Sequence, residues 1–396
     1  MSYPFSGLVV RWLQDSSSNP VSTVALKADI HVNLWDLSSG VCLDVGILFE
    51  SNESLDALVI DLPWEVHKKD FLDLAPRLGS SRVLMAIFNE NIELRDESDS
   101  RLTNIKIIKE SDLSWKTEFK LIQLDISSCD FQHFSIGRSK CTRLKISIPK
   151  RLPDSENFLG GYIRFRLSNV PDEVFFTEFK PKDRHLLSSN YLTRLLDLRV
   201  NVLRGVPEEL LLGNDIKNFK LNVIHVFAIV PRDVELPFYS EHYKGCRSLE
   251  DESVWNEYVR RDSDGTDEPL NIKNYLGYQW SERAKDDSKA VKDLIALGRF
   301  LKRLTSTWQN LRFLILVVLL GACGSGVWAL AMRVLPETLF NSTHERKEEI
   351  VIILIIITIF FVMYIFKISF WRKVVGFFYY LPSRIKEWCE KFSSGR

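Results

Sequence analysis

Residues 24–37 read VALKADIHVNLWDL, with Ala28, Ile30, Val32 and Leu34 alternating against Lys27, Asp29, His31 and Asn33. A period of two in apolar character marks a strand with one buried and one wet face, because successive side chains of an extended chain point to opposite sides. The same texture spreads outward, through 8–12 on one side and 41–49 and 55–62 on the other. Asn52, Glu53 and Ser54 supply turn material between the last two runs, and Pro63 ends the second because it has no N–H for a ladder. Alternation returns at 105–108, 118–126 and 142–148. So many short strands predict an antiparallel sandwich or a partly open barrel. Two interruptions are expected: a helix over 64–78, where Val66, Phe71, Leu74 and Leu78 recur at helical spacing before Gly79, and a continuously apolar buried strand over 82–88.

The polar, proline-bearing stretch 149–157 predicts a boundary between a β-rich domain (1–150) and a second β/α subdomain (151–231). In the second, 161–167 alternates strictly and is expected to form a hairpin with 174–180. A leucine-rich helix over 186–203 and a strand over 219–230 should come next. The hairpin would carry Arg164 and Arg166 on its wet face, with Lys180, Lys182 and Arg184 downstream. These guanidinium and ammonium groups are a candidate site for a phosphate-bearing ligand, since a planar guanidinium grips an oxyanion with two hydrogen bonds. Residues 232–288 are dense in charge but dotted with Tyr239, Tyr243, Trp255, Tyr258, Tyr275, Tyr278 and Trp280. Disordered chains are poor in aromatics, so an ordered cover or linker is predicted, with a mobile patch at 262–267.

From residue 289 the pattern changes. Leu294, Leu297, Leu301, Leu304, Trp308 and Leu311 are spaced three and four apart, which predicts an amphipathic stalk helix over 289–312 that continues into the apolar run beginning at Phe313. Residues 313–332 hold no charged group before Arg333, and 350–366 hold none before Lys367. Each run is long enough, at about 1.5 Å rise per residue, to cross a hydrocarbon core of about 30 Å. Two transmembrane helices, 313–332 and 350–371, are therefore expected, joined by a short outer loop. Arg299, Lys302, Arg303 and Arg312 before the first and Lys367, Arg372 and Lys373 after the second place both flanks in the cytosol. No basic segment leads into an apolar run at the N-terminus, so the β-rich region is expected to stay there too. Gly321 with Ser325, and Ala322 with Gly326, are small residues four apart, with Gly324 between them. They are candidates for close helix packing in the bilayer, either with the second span or with another copy of the chain. The basic and aromatic tail, 372–396, suits the headgroup layer.

Composition excludes more than it identifies. Lys plus Arg equals Asp plus Glu at 52 each, so no overall field recruits nucleic acid. The six cysteines form no C-x-x-C pair and fit a reduced chain. No P-loop, dinucleotide fingerprint, nucleophile elbow or H-E-x-x-H stands in the sequence. Cys129, His133 and Cys141 could offer zinc ligands, and His242 with Cys246 a base and nucleophile. Both sets read better as structural thiols and surface histidines. The acidic stretch 262–268 matches a calcium loop in composition only. The expectation is thus a protein that is not an enzyme and needs no cofactor.

The layout of a cytosolic domain, a long helix into a first span and a short outer loop to a second resembles that of CorA-type magnesium channels in topology. Their Gly-Met-Asn signature is replaced here by Ala331-Met332-Arg333. The fold class expected is α+β: a β-rich cytosolic region, a helical stalk and a two-span hairpin. The function expected is that of a membrane protein whose cytosolic region senses a protein or small ligand, with the bilayer as its other partner. It would self-associate through stalk and first span as an oligomeric membrane-perturbing effector, for example in bacterial defence. A two-span ion channel subunit and a membrane-tethered enzyme are the alternatives.

Overall fold

The computed structural model describes residues 3–15, 25–50, 54–88, 91–96, 102–108, 115–149, 160–179, 191–212, 215–249, 251–259, 271–286 and 289–303, and, beyond these, 311, 314–315, 317–318, 321–322 and 324–326. The chain begins with β1 (Val9–Gln14), β2 (Lys27–Leu37), β3 (Gly40–Phe49) and β4 (Leu55–Leu62), then β5 (Phe71–Asp73) and helix α1 (Ser81–Phe88). Strands β6 (Asn91–Asp96), β7 (Leu102–Ile108), β8 (Trp115–Ile122), β9 (Cys129–Ile136), β10 (Ser139–Ser147) and β11 (Gly161–Val170) come next. The remainder is α2 (Asp172–Phe175), β12 (Phe176–Phe179), β13 (Tyr191–Val200), α3 (Glu208–Leu211), β14 (Ile216–Asn218), β15 (Lys220–Pro231), β16 (Val234–Tyr239), β17 (Tyr243–Ser248), α4 (Glu252–Val259), β18 (Tyr275–Arg283) and β19 (Leu294–Arg303).

These strands make three sheets. One has five strands in the order β14-β1-β4-β10-β9, one has ten, running β17-β18-β15-β2-β3-β11-β8-β7-β6 with β5 added to β11, and one has four, β12-β13-β19-β16. Most pairs are antiparallel, but β15 pairs with β2 and β11 with β8 in parallel. The period-two pattern of β2 decides the layering. Ala28, Ile30, Val32 and Leu34 enter one large core together with Val10 and Ile60 of the five-stranded sheet and Leu198 and Phe300 of the four-stranded sheet. The opposite face of the ten-stranded sheet is not wet. Helices α1 and α4 cover it, and a second core forms there around Trp35, Tyr162, Trp255 and Tyr258.

The β-rich region is thus present, with few helices, and it forms one compact unit over Met1–Leu304. No division falls near residue 150 or 231: β11 lies against β3 and β15 against β2, so strands from both sides of each expected boundary share one sheet. The stretch 232–288 is a cover only in part: its α4 lies over the ten-stranded sheet, while β17 and β18 are strands of that sheet and β16 belongs to the four-stranded one. Asn201 ties two sheets together: in the left-handed region at φ 59°, it accepts a hydrogen bond from Val10 N–H at 2.7 Å through its side chain. Gly7 has φ +84° and lies so close to the Arg199 carbonyl that any Cβ would collide with it.

Several local expectations are corrected. Residues 64–78 hold 3-10 turns and β5 rather than a helix, and 81–88 is helix rather than strand. Strand β11 does not form a hairpin with β12, which pairs with β13 instead (Phe176↔Leu196). The leucine-rich 191–200 is strand β13. The first part of the stalk, with Leu294, Leu297 and Leu301, is not helix but strand β19, paired with both β13 and β16. Its side chains follow period two, with Leu294, Ala296 and Phe300 buried and Leu297 and Leu301 on the other, partly exposed face. The apparent seam mixes the two faces of a strand. Leu304 and Trp308 lie outside the described residues.

A second unit spans Thr305–Arg396. Its described residues, including Leu311, Gly321, Ala322, Gly324, Ser325 and Gly326, are helical. Among the described residues no helix is long and apolar enough to cross a membrane. The second span, the outer loop and the tail lie outside the described residues.

Candidate functional site

Arg164 and Arg166 alternate correctly along β11, but the face they occupy is the one covered by α4. Both are buried, Arg164 completely. Arg166 donates through Nε to Asp44 Oδ1 at 2.6 Å and through Nη2 to Asp44 Oδ2 at 2.9 Å, while its Nη1 donates to the Val259 carbonyl at the end of α4 at 3.1 Å. Arg164 donates to the Tyr258 hydroxyl at 2.6 Å and the Tyr162 hydroxyl at 2.9 Å, and Asn33 accepts from its Nη2 at 2.9 Å. Tyr258 in turn donates to Asp44 at 2.8 Å, as does the Trp35 indole at 2.8 Å. Gly46 stands opposite Arg164 in the register and makes the room: a Cβ there would lie 2.3 Å from the Tyr162 hydroxyl.

Burial pushes the Asp44 carboxyl up, but Arg166, Arg164 and the Tyr258 hydrogen bond outweigh it and hold the group below the usual carboxylate range. Such a cluster locks a helix to a sheet, because Arg166 bridges Asp44 of β3 and the carbonyl at the end of α4, and Arg164 bonds Tyr258 of α4. It does not offer itself to a phosphate-bearing ligand. The expected basic ligand site is corrected on this point for Arg164 and Arg166, while Lys180 and Arg184 lie outside the described residues.

The same covered face continues through a pair of histidines. His31 and His225 are register partners in the parallel β2/β15 pair, with ring centroids 5.5 Å apart. Burial, then His225 and Arg164, lower His31 well below its ordinary value, and burial lowers His225 to about 4. Both rings are neutral at pH 7. Asp29, two residues before His31, is pushed up to about 6 by burial.

A different cluster lies at the surface. Beyond β4 the chain bends at Pro63 and Trp64, and burial then alternates, with Trp64 and Val66 buried, Glu65 half-buried and His67 exposed. The Val66 N–H donates to the Thr142 hydroxyl on β10 at 2.9 Å, which fixes this stretch against the sheet. His133 of β9 is the register partner of Thr142, and its Nδ1 lies 3.2 Å from the same hydroxyl. The donor atoms of Glu65, His67 and His133 all lie within 4.8 Å of one another, a grouping able to hold a metal ion. Lys140 Nζ donates to both Glu65 oxygens, at 3.1 and 3.0 Å, and this hydrogen bond, helped by the Lys140 charge and the two imidazoles, holds the carboxyl below its usual range.

The cysteines do not join it. Cys141 pairs with Phe134, so it faces the opposite side of the sheet from His133, and Cys129 is four residues along the strand, about 13 Å away at strand rise. Both are buried, and burial pushes each thiol up to about 11, far from a reactive thiolate. His242 and Cys246 flank and occupy β17 rather than a helix, and His242 Nδ1 engages Glu282 at 2.5 Å. The acidic stretch 262–268 lies outside the described residues.

A helical reading of 64–78 hides His67, and Glu65 with it. The signal available is the i, i+2 spacing of an acid and a histidine around a buried valine, just after a proline. Comparison with protein-family models gives no match for this chain, and comparison with curated proteins gives none either.

Proposed function

We propose that this chain is an integral membrane protein in which the β-rich unit binds a cytosolic protein or small ligand and a two-span hairpin, 313–332 with 350–371, perturbs the bilayer as an oligomer. The observation that carries the reading is the contrast in apolar exposure. In the β-rich unit the alternating apolar residues of the central strands, such as Ala28, Ile30, Val32 and Leu34, are buried, and exposed ones such as Phe179 and Leu195 sit beside charged strand neighbours. In the helical residues beyond it, Leu314, Ile315, Val317 and Val318 are 60, 49, 47 and 63% exposed, within a sequence run that holds no charge. Several exposed aliphatic side chains in an uncharged helix are costly in water and favourable in lipid. The helical stalk is no part of this reading, because residues 294–303 form strand β19.

A specific observation also supports the channel alternative. Among the described residues a Cβ built at Gly321, Gly324 or Gly326 meets nothing within 4 Å, which suits close approach of another helix along Gly321/Ser325 or Ala322/Gly326. One experiment separates the readings: purified full-length protein is sized in detergent and reconstituted into dye-loaded liposomes. A defined oligomer that releases dye supports the effector, and one that passes selected ions while retaining dye supports the channel. A monomer that leaves liposomes intact overturns both, as does retained cellular activity after the hairpin is exchanged for an unrelated anchor.

A further inference from the structure

We propose that Glu65, His67 and His133 bind a divalent transition-metal ion of the zinc class at the surface of the five-stranded sheet. Two imidazoles and one carboxylate whose donor atoms lie within 4.8 Å are a ligand set that zinc accepts with its remaining position left to water. The same set disfavours magnesium and calcium, which take oxygen ligands throughout.

The cluster is built rather than accidental in three respects. Its two ligands from one segment are fixed by the residues between and before them: buried Val66 and Trp64 anchor the backbone that carries Glu65 and His67. The third ligand is oriented from behind. The Thr142 hydroxyl accepts the Val66 N–H and lies 3.2 Å from Nδ1 of His133, which ties that nitrogen down and turns Nε2 toward a metal in the tautomer with the proton on Nδ1. One buried threonine thus sets both the loop and the ring. Finally, a cation already occupies the carboxylate's side of the cluster. Lys140 spans both Glu65 oxygens, yet its side chain is 59% exposed, so it can swing into solvent when a doubly charged ion arrives. The two exposed rings leave the outward coordination positions open to water or to a donor from another molecule.

The test uses the full-length protein in detergent, titrated with zinc chloride against a chromophoric chelator and separately with cobalt(II), whose visible absorption reports tetrahedral coordination. The expected result is one zinc ion per chain and a tetrahedral cobalt spectrum. His67→Ala and His133→Ala should each weaken binding about 10- to 100-fold, as should Thr142→Val, which removes only the orienting hydroxyl. Lys140→Gln should tighten binding several-fold, because the competing ammonium is gone while all three ligands remain. Since Thr142 is buried and Thr142→Val can itself unsettle the fold, the Lys140 variant carries the decision for a folded protein. Unchanged zinc affinity in the His67→Ala, His133→Ala double variant would overturn the proposal, and so would weaker binding in Lys140→Gln. The geometry owes nothing to the hairpin, so a failure here leaves the membrane reading standing.

Discussion

Two buried aspartates in this fold are each surrounded by two arginines, and they solve the same problem differently. Asp44 lies on the α4 side of the ten-stranded sheet with Arg164 and Arg166. Asp61 lies on the five-stranded sheet with Arg11 and Arg143, both of which engage the carboxylate and also donate to the Leu210 carbonyl in α3. In each cluster an arginine caps a carbonyl at a helix C-terminus, Val259 in α4 or Leu210 in α3. The difference is in the sharing. Around Asp61 both cations bond the carboxylate directly, Arg143 through Nε and Nη2 and Arg11 through Nη2 alone. Around Asp44 only Arg166 chelates the acid, and Arg164 is held by two phenols and an amide while acting on Asp44 through its charge. At Asp61 two hydrogen-bonded cations, one chelating and one single, share a buried anion, whereas at Asp44 a single guanidinium holds the acid.

The largest effect that could break this comparison is removal of the shared acid. Asp44→Ala strands two buried guanidinium groups, and a loss of about 3–5 kcal/mol is expected, enough to unfold a marginal domain. Asp61→Ala should cost a similar amount. The equivalence is checked by thermal unfolding of the full-length variants against the parent, and two aspartates differing by several kcal/mol would break it.

The arginines sharpen it. Arg166→Met should cost about 3–5 kcal/mol, because Asp44 loses its chelating partner, and Arg164→Met about 1–2 kcal/mol, because what it leaves is mainly unpaired hydroxyl and amide groups. Arg143→Met, which removes two bonds to Asp61, should cost more than Arg11→Met, which removes one. Urea midpoints for the four variants decide the matter, and equal costs for Arg164 and Arg166 would refute the asymmetry.

The smallest effect concerns acid. The face that holds Asp44 also holds His225, whose folded value near 4 lies below its unfolded value near 6.5. Between those limits the unfolded chain binds the proton and the folded chain does not, so stability falls as pH drops through this window. Asp29, at about 6 when folded, has the opposite slope: the folded chain binds the proton between about 4 and 6, so acidification there favours folding. His225→Asn should therefore flatten the loss of melting temperature between pH 6.5 and 4.5, by about 1–2 kcal/mol of stability, and Asp29→Asn should steepen it by a similar amount. Parallel pH profiles in both variants would show that these groups do not titrate across folding.

Where strands lie is legible in the alternation of β2 and in the short, mostly apolar runs of β3 and β4. Which faces are wet is not. The rule that the polar half of an alternating strand meets water fails when a second layer covers it, and Arg164 and Arg166 look solvent-facing in the sequence for that reason. A signal is present: Asp44 interrupts the apolar run 41–49, Asp61 interrupts 55–62, and Arg11 sits inside 8–12. Opposite charges embedded in separate apolar runs mark strands whose charged residues meet inside.

The two strands that resemble helices in the sequence mislead for a related reason. In β13, Leu192, Leu196 and Leu198 face inward and Leu195 outward, and in β19 Leu297 and Leu301 occupy the outer face. Leucines on both sides of a strand imitate a helical stripe. Conversely, 81–88 is apolar enough for a buried strand but forms α1 on the ten-stranded sheet, as its Arg82, Leu84, Met85 and Ala86, all good helix formers, favour.

Strand β19 is the last strand of the β-rich unit and pairs with neighbours on both edges, with β13 from Tyr191↔Arg303 to Val200↔Leu294 and with β16 from Val234↔Lys302 to Tyr239↔Gly298. Ladder bonds in antiparallel pairs run perpendicular to the strands. A pull along the chain beyond Arg303 therefore shears both ladders at once instead of peeling them bond by bond. The sheet is a mechanical clamp on the C-terminal quarter of the chain, and tension arising there is borne by the four-stranded sheet before the first hydrogen bond opens.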